Sequence, residues 1–265
     1  MKRCRAGLWL SALVVVGLIL ALPGVGADKP IKVLFLTKSS GFQHDVVKRT
    51  GDQLSFAEKA MVEMGKKNGL EVECTKDGGA ISAENLKKFD VVQFYTTGDL
   101  TQPGKEDKSA PMAPEGKQAL IDWVKNGGGF AGMHTASDTF HGWTPYLEMV
   151  GAEFAWHKSQ QEGKLTVVKE HPITSHIGKE WNIQDEWYFF KNLSKTFTPL
   201  LVIDTKSMKE AEYKAENPYP VTWISEFGKG KVFVTALGHR EDVWTNPKFQ
   251  EMLIKGIKWS VNKLK

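Results

Sequence analysis

Three histidines lie at positions that could share one chemistry: His44 in "GFQHD", His134 at the end of "GGGFAGMH", and His239 in "ALGHRED". Imidazole titrates close to neutral pH, so it can carry a proton, donate a hydrogen bond or bind a divalent metal ion. A fourth candidate comes from the adjacent carboxylates Asp185 and Glu186 in "QDEWYFF". Neighbouring side chains in a strand point to opposite faces, so one of the two enters a shared site, and Glu186 is favoured as base or ligand. His134, Glu186 and His239 are therefore the expected catalytic groups. His44, His134 and His239 are the expected metal ligands, because convergent imidazoles with a carboxylate suit zinc or another divalent transition metal. No closely spaced pattern such as H-E-x-x-H accompanies them.

His44, Asp45, Asp138, Trp156, His157 and Arg240 are expected to contact the substrate. Each competes with an ordinary role. Asp45 and Arg240 can form rim ion pairs, and His157 can pack as an amphipathic side chain. Asp138, four residues after His134, can orient that imidazole or cap the helix that follows. His141 and His176 read as surface residues.

The elements that must position these groups follow from hydrophobic pattern. "IKVLFLT" (31–37) is a continuous apolar run of the kind buried on both faces of a parallel sheet. Helical spacing follows from Asp52 to Asn68, with Gly69 as the stop, and "LEVECT" alternates as a second strand. Ser82 caps a short helix, "DVVQFYT" gives another buried strand, and residues 98–116 form a long Pro-rich surface loop or lid. A helix over 116–126 leads through three glycines into "FAGMH". Alternation of strand and helix predicts a three-layer α/β architecture, a mostly parallel sheet with helices on both faces. The second half is richer in strands: "KLTVVKE", "EWYFF", "PLLVIDT", "PVTWISE" and "KVFVTAL", closed by an amphipathic helix from Pro247. Ligands of such sheets sit beyond the carboxyl ends of the strands, which puts His44, His134 and His239 on one rim.

Composition narrows the function classes. Residues 1–27 have a basic start, an apolar centre and a small-residue end, the pattern of a signal peptide cleaved after Ala27. An exported chain, periplasmic or extracellular and free of the membrane, is the expectation. Without Lys2, Arg3 and Arg5 the 35 basic residues fall to 32 against 31 acidic ones, so the mature protein is nearly neutral. No basic block interleaved with aromatics remains, and nucleic acid is not an expected partner. Cys74 is the sole mature cysteine, which excludes an internal disulfide framework. No strand is followed by G-x-G-x-x-G, so no nucleotide cofactor is expected. Residues 28–265 read as one domain, and monomer and homodimer are both compatible with them.

The pieces "GFQHD", "GGGFAGMHTASDTF", "VGAEFAWH", "EHPIT", "QDEWYFF" and "PVTWISEFGKGKVFVTALGH" occur in an order that resembles the ThuA-like (trehalose utilisation) family. The resemblance covers nearly all of the mature chain and implies a class I glutamine amidotransferase-like, flavodoxin-like fold. Enzymes of that fold carry a nucleophilic cysteine in a strand-to-helix turn, G-x-C-x-G. Here the turn reads Gly132, Met133, His134, Thr135, Ala136, so thiolate attack is replaced by imidazole chemistry. The resemblance implies a small-molecule carbohydrate substrate, a disaccharide or glycoside at the level of its keto form, cleaved or eliminated at a His-rich site. Trp143, Trp156, Trp187 and Trp223 can offer faces for a sugar ring or fill the core. A non-catalytic sugar-binding module and a glutamine amidohydrolase using Cys74 are the alternatives.

Overall fold

The computed structural model describes residues 29–215 and 219–264. The expected signal peptide lies outside the described residues.

The chain begins with strand β1 (Ile31–Leu36), then helix α1 (Phe56–Asn68) and strand β2 (Leu70–Thr75). Helix α2 (Ala83–Leu86), strand β3 (Val91–Phe94), helix α3 (Pro114–Lys125) and strand β4 (Gly129–Met133) complete the alternating half. Helix α4 (Thr144–Val150), strands β5 (Glu153–Trp156), β6 (Gln161–Val167), β7 (Glu180–Asp185), β8 (Phe189–Lys191) and β9 (Thr198–Ile203) follow. Strands β10 (Tyr219–Phe227) and β11 (Gly230–Thr235) and helices α5 (Glu241–Thr245) and α6 (Pro247–Ser260) close the fold.

Nine strands form one sheet in the order β2-β1-β3-β4-β11-β10-β9-β6-β7, and β5 pairs with β8 in a separate ribbon. β2, β1, β3, β4 and β11 run parallel. From β11 outward every pairing is antiparallel. The parallel half is hydrophobic on both faces because helices cover both. Val33 and Phe35 of β1 face the layer containing α1 and α6, whereas Leu34 and Leu36 face α2, α3 and α4. That alternation explains the unbroken apolar run in the sequence.

Three boundaries differ from the sequence expectation. α1 starts at Phe56, not Asp52, because Ser55 caps it: the Ser55 hydroxyl accepts from Glu58 N–H and the Glu58 carboxylate accepts from Ser55 N–H. The strand expected at "EWYFF" (186–190) starts late: Glu186–Tyr188 form a turn and β8 begins at Phe189, after a strand not expected from the sequence, β7, that ends at Asp185. The 98–116 segment is the expected surface loop, mostly exposed, but it ends earlier, at α3 (Pro114), is anchored to the body and does not line the cavity found beside the sheet ends. Leu100 and Met112 are fully buried, and its backbone is tied to Ser39 and Asp138.

Glu58 fixes how the β1 end meets α1. Its fully buried carboxylate accepts from Thr37 Oγ1 at 2.6 Å and from Arg49 Nε and Nη2 at 2.8 Å each. Burial alone raises its pKa, but the hydrogen bonds from Arg49, Thr37 and Ser55 outweigh that and hold it below the usual carboxylate value. The His44 loop lies between these anchors, so they also hold one corner of the site.

Arg49→Met leaves the Glu58 charge buried and unpaired, a loss of roughly 3 kcal/mol at neutral pH, measurable by urea unfolding. In the wild type the depressed carboxylate stabilises the fold above its unfolded pKa of about 4.3 and loses that contribution as pH falls towards the lower folded value. In the variant the same carboxyl is raised by burial and gains stability on protonation, so the gap between the two proteins narrows with acidification. A gap independent of pH would contradict this account.

Candidate functional site

β4 delivers His134 straight off its carboxyl end into a one-turn 3-10 helix, His134–Asp138. The residue has φ +39°, a left-handed conformation that costs a side chain of this size of order 1–2 kcal/mol. The turn is braced on both sides. The Tyr146 hydroxyl donates to Ala136 O at 2.8 Å, and His134 Nδ1–H donates to Ala236 O at 2.7 Å. That second bond settles the tautomer, leaving the lone pair on Nε2.

His44 follows β1 on a loop and is 4% exposed, with Nε2 facing the Tyr188 hydroxyl at 3.4 Å. His239 follows β11, where Gly238 with φ +118° turns the chain in a way only glycine adopts easily. Its Nδ1 lies 3.3 Å from His134 Nε2. Glu186 comes from the opposite half of the sheet. Adjacent strands stand about 4.8 Å apart, so in a flat sheet β7 would lie some 19 Å from β11. Instead Asp185, the last residue of β7, accepts from Gly238 N–H at 2.8 Å and from His239 N–H at 3.2 Å. The antiparallel half curls over the strand ends and sets Glu186 among the three imidazoles.

Glu186 Oε2 is 3.1 Å from His239 Nδ1, 3.5 Å from His134 Nε2 and 3.9 Å from His44 Nε2. It makes no well-directed hydrogen bond with any of them, although it is buried. One donor atom from each of the four residues falls within 4.8 Å of all the others. A tetrahedral ion with ligand bonds of about 2.1 Å keeps its ligand atoms about 3.4 Å apart, close to these separations. The donor set and the unsatisfied carboxylate oxygen both fit a divalent transition metal, with the His134–Ala236 bond as the usual outer support of a ligating imidazole.

The electrostatics agree. Burial raises the Glu186 pKa, but the close ring nitrogens of His134, His239 and His44 outweigh it and hold the carboxyl far below the carboxylate range. Burial pushes His134 down to about 4 and lowers His44, so both are neutral, ligand-ready imidazoles at neutral pH. His239 is also opposed by burial, yet the Glu186 carboxylate raises it. Burial pushes Asp185 up to about 7 despite the backbone N–H groups it accepts.

A cavity of about 640 Å³ opens beside the cluster, lined by His44 and His239 and also by Asp45, Arg240, Gln160 and Phe42. Arg240 is held by Asp242 on two nitrogens and by the Gln160 amide oxygen. His157, 42% exposed at its side chain, puts Nδ1 3.1 Å from Glu186 Oε1 on another side of the carboxylate.

His44, His134, Glu186 and His239 thus converge, with His157, Asp45 and Arg240 around them. Asp138 and Trp156 take other places. Asp138 binds His141 at 2.6 Å instead of orienting His134, and His141 is clasped on its other nitrogen by Glu153 at 2.9 Å. Trp156 stacks on Phe189 at 4.5 Å and packs against Tyr213, outside the cavity lining. Trp187 and Trp223 are core residues whose indole N–H groups are spent on Gln161 O and Val150 O. Trp143 packs with Phe140 and Tyr146 under Lys117. Cys74 sits on β2 beneath α1, away from the four converging residues, and burial pushes its thiol up to about 12, which disfavours the thiolate. Sequence reasoning missed Asp185 as the tie between halves, Tyr188 against His134 at 4.2 Å, and Phe42 and Gln160 at the cavity. Adjacency to Glu186 was the only sequence signal for Asp185 and Tyr188.

A family model described as ThuA, trehalose utilisation, matches residues 32–260. Among solved structures, a ThuA-like protein from Bacteroides uniformis superposes with TM-score 0.70 at 21% identity, covering 92% of this chain and 97% of that one. A ThuA-like protein from Parabacteroides merdae gives 0.68 at 18%, covering 89% and 92%. A β-galactosidase from Bacillus circulans gives 0.52 at 12%, covering 87% of this chain but 31% of that enzyme. Identities this low speak for the fold alone. No curated protein sequence matches the chain.

Zinc at a hundred times its dissociation constant stabilises a protein that binds it only when folded by about 2.7 kcal/mol. The melting temperature of the metal-stripped protein therefore rises on adding zinc and falls back with chelator, and the His44→Ala/His239→Ala double variant shows no rise. An undiminished rise in the double variant would place the ion elsewhere.

Proposed function

Because the chain belongs to the ThuA, trehalose utilisation, family, we propose that it is an enzyme that cleaves or eliminates keto-disaccharides or related glycosides at the His44–His134–Glu186–His239 centre. The observation that carries this reading is the convergence of three imidazoles and a buried, unsatisfied carboxylate beside an open cavity. Family membership supports a sugar as substrate, and the four donors support metal-assisted chemistry on it.

His44, His134, His239 and Glu186 hold a divalent ion, zinc or a similar borderline metal. Such an ion, when bound, supplies Lewis-acid polarisation of a carbonyl oxygen. The chain's own groups do the rest. The C–H next to the ring carbonyl is acidic, and its proton passes to a base at this centre. His157, outside the four donors and outside the cavity lining, holds the other oxygen of Glu186 at 3.1 Å and steadies the carboxylate there. The electron pair left on carbon forms a double bond, and the glycosidic oxygen on the far carbon departs with a proton. Asp45 and Arg240 line the cavity where sugar hydroxyls lie, the Arg240 guanidinium fixed in plane by Asp242 and Gln160. The buried walls of Tyr95 and Tyr188 exclude water from the inner side.

Wild-type protein loaded with metal turns over a keto-disaccharide, and His134→Ala and His239→Ala lower kcat/KM by at least a hundredfold, read by chromatography of the released sugar. Full activity in both variants sinks the proposal. Stoichiometric sugar binding with no product from any form marks a binding module instead. Thiol alkylation separates the amidohydrolase alternative: iodoacetamide leaves turnover unchanged, since Cys74 is a half-buried thiol on β2, away from the centre.

A further inference from the structure

We infer that Phe42 is the stacking platform of a second sugar subsite, so that the cavity takes a disaccharide with one ring at the His–Glu centre and the other on the Phe42 ring. The inference rests on the sugar-acting reading above and assigns what lies beyond the reacting ring.

Among the described residues the exposed large hydrophobic side chains are Phe42, at 64%, and Val168, at 46%. Isolated exposed apolar residues are common and by themselves mean nothing. Phe42 differs in where it stands and how it is held. It lines the cavity two residues from His44 and meets that imidazole edge-on, ring centroids 4.9 Å apart at 88°. The loop beneath it is pinned. Ser40 N–H and Gly41 N–H both donate to Thr97 O, and Thr97 Oγ1 donates to Phe42 O at 2.8 Å. Gly41 and Gly98 pass so closely that a Cβ on Gly98 would lie 2.6 Å from Gly41 N. The aromatic ring is therefore presented to solvent by a rigid backbone, not left there by a loose loop.

The rest of the lining is mostly polar, with Asp45, Gln160, Arg240 and Asp242 facing the same space and Val46 and the half-buried Phe56 as the apolar exceptions. An exposed aromatic face beside planar carboxylate, amide and guanidinium groups suits a pyranose, whose axial C–H bonds give it an apolar face and whose rim carries hydroxyls. A purely apolar ligand would leave these polar groups unpaired. The cavity volume of about 640 Å³ falls within the range of roughly 300–1,000 Å³ usual for small-molecule sites and exceeds what one hexose fills. With His44 and His239 at the inner end and Phe42 at the outer end, the two rings of a disaccharide span the distance between centre and platform.

The test is calorimetric binding of trehalose and of glucose to metal-loaded wild type, Phe42→Ala and Phe42→Trp, with the zinc-induced rise in melting temperature recorded for each. Trehalose affinity is expected to fall about tenfold in Phe42→Ala and to be kept in Phe42→Trp. Glucose affinity and the zinc response stay at wild-type values in both, because Phe42 is outside the four donors. Equal trehalose affinity in wild type and Phe42→Ala overturns the subsite and leaves the sugar reading standing. A wild type that binds zinc but neither trehalose nor glucose overturns both.

Discussion

The Asp185 carboxylate holds the molecule's two halves in the one relation that makes a site. It has no solvent exposure, ends the outermost antiparallel strand, and accepts the backbone N–H groups of Gly238 and His239 beyond the last parallel strand. It also accepts Glu186 N–H at 2.9 Å, so the same group that grips the His239 turn aims the next side chain. Burying a carboxylate is costly, and the backbone donors on its oxygens offset part of that cost, although burial still raises its pKa to about 7. The sheet's curl is thereby locked to the residue that needs it.

What the lock assembles is energetically unfavourable when considered alone. His134 sits in a left-handed backbone conformation, and a carboxylate oxygen is buried among ring nitrogens without a directed bond. Such local strain persists only where surrounding structure overrules it. The surrounding structure is visible: Tyr146 and Ala236 brace the His134 turn, Tyr95 and Trp244 both donate to Gly238 O, and Glu58 ties the β1 end to α1. Fixed donors of this kind need no rearrangement to receive a cation, which is how preorganised centres gain affinity.

Much of this was legible in the sequence, for one physical reason. Parallel strands alternate with helices, so topology alone carries the residues after β1, β4 and β11 to one rim, and His44, His134 and His239 could be named from their strands. Glu186 could be preferred over Asp185 only by side-chain alternation, and its meeting with the histidines depends on the curl of the antiparallel half, which no local pattern encodes. The β7 strand "EWNIQD" went unread because its charged and amide residues hide a two-residue alternation, with Trp181, Ile183 and Asp185 inward. Trp187 and Trp223 show the reverse difficulty: a large aromatic looks the same in sequence whether it faces a ligand or the core. Asp138 was drawn to His134 by proximity in the chain, yet His141 binds it at closer range.

The contact between His44 and Tyr188 spans 144 positions of chain, and that between His239 and His134 spans 105. Closing loops of that length carries an entropy charge that only a finished scaffold offsets. The four donor residues therefore meet only when nearly the whole stretch from His44 to His239 has taken its place, and no short segment of the chain carries them all.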